Sequence, residues 1–91
     1  SIEKAIPAIN DYIGFLSNDT VKYKAVLIAP YGTLANYYVN VKQDYPAGLQ
    51  MFDKILALDP TNAAAKQYGD QIRAFLTKKN APATPSKKSP K

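Results

Sequence analysis

The chain is 91 residues long and 46% hydrophobic, which limits it to one small folded domain. It contains no cysteine and no histidine, so disulfides, thiolate metal sites and histidine-based catalysis are excluded. The formal charge of +5 is confined to the C-terminal end, because residues 1–77 carry as many basic as acidic side chains and the remaining lysines follow them. A basic nucleic-acid-binding face is therefore not expected.

The distribution of apolar residues argues against a membrane-spanning segment in this chain. No apolar run approaches the roughly 18 residues that span a bilayer. The opening residues, SIEKAIPAIN, lack the basic stretch and apolar core of a signal peptide. They also start without methionine and in helical phase, so we expect the chain to be a fragment of a longer protein.

The first predicted element is a helix over residues 2–16. Its apolar residues recur near the helical period of 3.6 and are Ile6, Ile9, Ile13 and Leu16. Pro7 is tolerated close to the helix start, where its missing N–H has no partner to lose.

A second helix is predicted over residues 20–41, with Asp19 as its N-cap because a carboxylate accepts from unpaired N–H groups. Its apolar stripe keeps helical phase and consists of Tyr23, Leu27, Tyr31, Leu34, Tyr38 and Val41. Pro30 lies inside this stretch and removes the bond to the Val26 carbonyl, so a kink is expected. Two helices broken at APYG are the alternative, and the unbroken phase of the stripe favours one kinked helix.

Two further helices follow, separated by a short connection. The third covers residues 46–58, with Asp44 as its cap and a proline at its first position. It ends at Asp59-Pro60, because a residue before proline avoids the helical conformation. The fourth covers residues 61–77. Since no alternating β-branched run is present, the sequence predicts an all-α fold of about four helices, in which short connections make neighbouring helices antiparallel.

The last segment, residues 78–91, is rich in lysine, proline and serine and has no large apolar residue. It cannot bury enough surface to offset the entropy of ordering its backbone, so we predict disorder. Its lysines have three interpretations: a solubilising end, a tether to an anionic surface, or a nucleic-acid contact. The first is favoured, because two short lysine pairs are weaker than a polybasic cluster.

The stretch LANYYVNVKQDYPAGLQMFDKILALDPTN, residues 34–62, resembles a tetratricopeptide repeat, a helix–turn–helix unit of about 34 residues. The matching positions are small or aromatic residues and the terminal Asp-Pro pair: Leu34, Ala35, Tyr38, Tyr45, Gly48, Phe52, Asp59 and Pro60. Gly48 stands where the family places a small residue at the closest helix crossing. The turn at VNVKQDY is one residue longer than the family's, and Ile55 is larger than the small residue usual at its position.

The resemblance implies that residues 1–77 form antiparallel helix pairs in a right-handed α–α superhelix. Residues 1–16 correspond to the end of a preceding repeat, residues 20–60 to one full repeat with an extended first helix, and residues 61–77 to a closing helix. In this family the first helices of successive repeats line a concave groove that takes peptides or partner helices.

Transferred to this chain, the groove positions of the family fall on Gly32 and on six candidate partner-binding residues: Thr33, Asn36, Tyr37, Asn40, Gln67 and Gln71. Asn36 falls where the family's peptide-gripping asparagine often lies, and an amide offers both a donor and an acceptor to an extended chain. The basic residues that clamp a C-terminal carboxylate in some members are replaced by Gly32 and Gln67, so such a ligand is not expected. Ordinary solvated side chains are the competing interpretation of Asn36 and the two glutamines.

The tyrosines of the central stretch divide into two groups. Tyr31, Tyr38 and Tyr45 fall on the buried stripe and are expected in the core. Tyr37 points elsewhere on the helix and is the candidate for a binding surface.

Catalysis is not expected from this sequence. Only two serines precede the C-terminal segment and neither lies in an elbow motif, while the carboxylates are better explained as helix caps and solvated charges. We therefore expect a non-enzymatic scaffold that needs no cofactor or metal and binds a protein or peptide partner. A structural capping segment without a ligand, or binding to an anionic surface through residues 78–91, are the alternatives.

Overall fold

Four α-helices make up most of the described part of the chain, which is residues 2–80 of a computed structural model. They are α1 (Ile2–Leu16), α2 (Lys24–Asn36), α3 (Tyr45–Leu58) and α4 (Ala63–Asn80). Residues 2–80 contain no strand, so the predicted all-α class is confirmed. Each helix packs against the next one in chain order.

The first and third helices begin and end close to where the sequence predicts. The Asp44 carboxylate accepts a hydrogen bond from the Ala47 N–H at 3.1 Å, which confirms it as the N-cap of α3. A proline occupies the first turn of that helix, where its missing N–H costs nothing. The helix stops at Asp59, which has a non-helical backbone before Pro60.

The second helix begins later than predicted, so the predicted start at Thr20 is wrong. Ser17–Asp19 form a short 3₁₀ turn and further turns follow up to Tyr23. The Asp19 carboxylate accepts from the Lys22 N–H at 2.9 Å and so caps a turn rather than α2. From Lys24 the helix continues through Pro30 without interruption, so the alternative of two helices broken at APYG is wrong.

A π-helical turn, Tyr37–Val41, extends the second helix towards the third. The Lys42 N–H donates to the Tyr37 carbonyl, five residues earlier, at 3.1 Å. Such a turn accommodates one more residue than an α-helical turn does, which explains the long connection at VNVKQDY. The chain then reverses at Gln43, whose φ of +54° lies in the left-handed region.

The fourth helix is shifted relative to its predicted limits of 61–77. It begins after Asn62, whose side-chain oxygen accepts from the Ala65 N–H at 2.9 Å. The preceding turn is closed by Asp59, which accepts from the Thr61 hydroxyl at 2.7 Å; this bond holds the pKa of the Asp59 carboxyl below its ordinary value. At its other end α4 reaches Asn80. The predicted disorder from residue 78 is therefore wrong for 78–80, and the remainder of that prediction lies outside the described residues.

A cluster of buried apolar residues lies between α1 and α2. Its central members are Ile13, Leu16, Leu27 and Leu34. Half-buried tyrosines of the second helix and its π turn, among them Tyr31 and Tyr38, pack against this cluster, as expected from the stripe. Met51 and Leu58 of α3 reach the same cluster, so one core joins three of the helices.

Gly48 of α3 lies directly against the end of α2 and the π turn that follows it, as the resemblance implies. A Cβ built on Gly48 would overlap Cγ2 of Val39 and would lie 3.6 Å from the carbonyl oxygen of Ala35. Because Val39 is β-branched, it has little rotamer freedom in a helix and gives way only at a cost. Only a residue without a side chain fits at this crossing without rearrangement.

Replacing Gly48 with alanine should therefore destabilise the fold. Overpacking of this kind costs about 1–3 kcal/mol, partly offset by the roughly 1 kcal/mol that alanine gains in a helix. Gly14 in α1 is the matched control, because a Cβ there meets nothing within 4 Å. In urea denaturation we expect Gly48→Ala to lower the midpoint and Gly14→Ala to raise it. A Gly48→Ala variant that gains as much stability as Gly14→Ala would contradict the close crossing.

The left-handed backbone at Gln43 gives a second prediction. An L-residue loses roughly 1–2 kcal/mol in this conformation, and glycine adopts it without that cost. Gln43→Gly should therefore raise the free energy of unfolding by about 1 kcal/mol. Lys42→Gly is the control: at φ −87° Lys42 is not strained, so glycine there should only destabilise. Equal effects of the two substitutions in urea denaturation would exclude a left-handed Gln43.

Candidate functional site

An open groove of about 550 Å³ separates α2 from α4, with α3 beneath it. Its buried lining is apolar and comes from all three helices: Ala35, Ile55, Ala65 and Ile72. Towards solvent the groove is bordered by Tyr68, which is 51% exposed, and by the amide side chains of α2 and α4. We call this space the α2–α4 groove.

Three of the six candidate partner-binding residues line the α2–α4 groove, namely Asn36, Asn40 and Gln71. The two asparagines lie one helical turn apart, and the Asn40 amide N–H donates to the Asn36 side-chain oxygen. Within residues 2–78 this leaves the Asn36 amide nitrogen and the Asn40 side-chain oxygen without a hydrogen-bond partner. Gly32 also lines the groove, and the space beside its Cα is open.

Two further candidates, Thr33 and Gln67, are exposed but lie outside the lining of the groove. The Thr33 hydroxyl donates to the Ala29 carbonyl at 3.1 Å, within its own helix. Such a bond satisfies the hydroxyl locally. The structure therefore does not bring these two residues together with Asn36, Asn40 and Gln71.

The sixth candidate, Tyr37, is not on an exposed surface, so its predicted placement is wrong. Only 6% of it is exposed, and its hydroxyl donates to the Glu3 carboxylate of α1 at 3.3 Å. Burial, and then the nearby Glu3 charge, raise the pKa of the Tyr37 phenol. Tyr37 thus joins α1 to the end of α2 and faces away from the groove.

Among the side chains that the structure describes, none of those lining the α2–α4 groove is charged. Three charged residues of α4 form a connected set outside the groove: Lys66 pairs with Asp70 at 3.2 Å, and Arg73 contacts Asp70 at 3.5 Å and Asp53 of α3 at 2.8 Å. These pairs are about half exposed or more, so each stabilises the fold little. The groove is left electrically neutral, with amides as its polar groups.

Tyr68, Asn62 and the alanines at the start of α4 belong to the groove but were not among the predicted site residues. Their spacing carries a signal, because Ala64, Tyr68, Gln71 and Ile72 share one side of a helix. That signal does not say whether the shared side meets a helix or an open space.

The Tyr37–Glu3 contact makes stability depend on pH in the alkaline range. A pKa raised by folding means that the contribution of Tyr37 is complete below the ordinary pKa of 10.0 and is lost as the pH rises through the folded-state value. Wild type should therefore lose stability relative to Tyr37→Phe between about pH 9 and 12 in urea denaturation. Glu3→Gln, which removes the charge, should show a smaller loss. If the difference in the free energy of unfolding between wild type and Tyr37→Phe does not change with pH, the Tyr37–Glu3 contact is contradicted.

Within residues 2–80 no helix is long and apolar enough to cross a membrane. In the same part of the chain, no three acidic side chains are grouped so that they can hold a metal ion. Comparisons with protein-family models, with curated proteins and with solved structures find no match to this chain.

Proposed function

We propose that this chain is a non-catalytic protein-interaction module whose α2–α4 groove binds a segment of a protein partner. The groove is the main observation in support of this proposal. It is an open space of about 550 Å³ with buried apolar residues at its base and amide side chains at its border. Sites of this size with a few placed polar groups are the usual form of binding pockets in proteins.

The polar groups of the groove suit a polypeptide ligand. A bound segment brings backbone N–H and C=O groups that must be satisfied when water leaves. The Asn36 amide nitrogen can donate to a backbone carbonyl and the Asn40 oxygen can accept from a backbone N–H, while Gln71 can do either across the groove. The apolar floor then supplies the burial that drives association.

The arrangement also supports the resemblance to tetratricopeptide repeats, which we extend to the architecture. Contacts pair the start of α3 with the end of α4, as Tyr45 with Phe75, and their middles, as Phe52 with Tyr68. This order is that of antiparallel helix pairs. We propose that α2 and α3 form one repeat, that α4 closes a right-handed superhelix, and that the groove lies between its first helices.

In this architecture α1 is the second helix of a preceding repeat. Its outer side supports that assignment, because Tyr12 and Phe15 are 49% and 64% exposed although their neighbours Ile13 and Leu16 are buried. A helix that is apolar over so wide an arc is typical of one packed on two sides.

Peptide selection tests the proposed function. A library of random 12-residue peptides displayed on phage is selected on the whole chain, and the enriched peptides are synthesised and titrated against ¹⁵N-labelled protein. We expect chemical-shift changes at the side-chain amides of Asn36, Asn40 and Gln71. Gly32→Trp should weaken binding at least tenfold, because the new ring fills the open groove without meeting protein atoms at its Cβ.

Gly14→Trp is the matched control, since it places the same ring on α1 and should leave the affinity unchanged. Circular dichroism checks that both variants stay folded. If no selected peptide shifts the groove amides, or if Gly32→Trp binds as tightly as wild type, the groove is not the binding site.

A further inference from the structure

We infer that the groove ends in a specificity pocket that accepts one bulky, uncharged apolar side chain of the bound segment. This pocket is a second cavity of about 230 Å³, lined by Val39, Tyr45, Gln71, Ile72 and Phe75. The inference rests on the proposed function and assigns the chemical class of the ligand.

The pocket is continuous with the α2–α4 groove. Val39, Gln71 and Ile72 line both spaces, so a segment lying in the groove passes directly over the pocket. Its far wall is an aromatic pair: the rings of Tyr45 and Phe75 lie 5.1 Å apart in an edge-to-face arrangement. Because that pair joins α3 to α4, the wall is fixed by the same contact that holds the helices together.

The size of the pocket fits a single large side chain. A closed apolar cavity of about 150 Å³ is enough to hold benzene. The space here is somewhat larger and open on one side, so leucine, methionine or phenylalanine can enter it from the groove. An alanine there would leave most of the pocket empty and would lose the contacts that make an anchor residue favourable.

The lining also excludes a charged side chain. Val39, Ile72 and Phe75 are apolar, and the polar groups available are the Gln71 amide and the Tyr45 hydroxyl. Asp70 and Arg73, which flank Gln71 and Ile72 in sequence, contact each other outside the pocket, and Arg73 also pairs with Asp53. Among residues 2–78 the lining offers no counter-ion, so a charge placed in the pocket would lose water without compensation.

The peptides selected on the whole chain provide the test. We expect those that shift Asn36 and Gln71 to share one leucine, methionine or phenylalanine at a fixed position. Replacing that anchor with alanine should weaken binding to wild type at least tenfold in isothermal titration calorimetry. The same replacement should weaken binding by no more than about twofold in Phe75→Ala, because removing the wall removes the partner of the anchor.

Two further variants keep the test independent of stability. Phe75→Leu is used if Phe75→Ala folds poorly. It retains an apolar wall, so replacing the anchor with alanine should weaken its peptide binding nearly as much as in wild type. Gly14→Trp, on α1 and outside both cavities, should bind like wild type and keep the full dependence on the anchor. Circular dichroism melting is recorded for each variant.

The possible failures are distinct from one another. If groove-binding peptides share no bulky residue, or if the anchor replacement costs the same in wild type and in folded Phe75→Ala, the specificity pocket is wrong and the groove remains the binding site. If no peptide shifts Asn36 and Gln71, the proposed function fails, and the pocket fails with it.

Discussion

The close approach of α2 and α3 is the contact on which the rest of the structure depends. Gly48 carries no side chain, so α3 reaches the backbone at Ala35, which is fully buried. This approach brings Ile55 of α3 to the floor of the groove and leaves the other side of α3 free to receive α4. With a side chain at position 48 the two helices would separate, and the groove floor would shift with α3.

The groove exists because α4 packs on α3 and does not close against α2. The turn from Asp59 to Asn62 ends one helix and caps the next within four residues, so α4 has to fold back along α3. Ring contacts along that interface then fix its position, with Phe52 against Tyr68 and Tyr45 against Phe75. Small residues at the facing positions, Gly32 on α2 and Ala64 on α4, leave the space between the two helices open.

Local chemistry made much of the fold predictable. Asp44 and the proline after Tyr45 act through neighbours in sequence, so the start of α3 follows from the chain alone. The starts of α2 and α4 do not follow from the chain alone. Asp19 and Asn62 are both good caps by residue type, but Asp19 caps a turn and Asn62 begins α4, and the packing decides between these outcomes. The π turn after Asn36 likewise depends on how α3 docks.

The residues of the candidate site were only partly predictable from the sequence. The resemblance to a repeat family predicts groove positions that include Asn36, Asn40 and Gln71, and these three residues line the α2–α4 groove. The resemblance gave no means of seeing that Tyr37 would be covered by α1, since that burial comes from a residue 34 positions earlier in the chain. The pocket at Tyr45 and Phe75 also needs the tertiary arrangement, because its wall joins the start of one helix to the end of another.

In the proposed complex a segment of a protein partner lies between α2 and α4, and intermolecular nuclear Overhauser effects report that placement. With an unlabelled selected peptide and ¹³C-labelled protein, we expect contacts from the peptide to the methyl groups of Ile55, Ala65 and Ile72 on the groove floor. Contacts confined to Tyr12 and Phe15 on the outer side of α1 would contradict it.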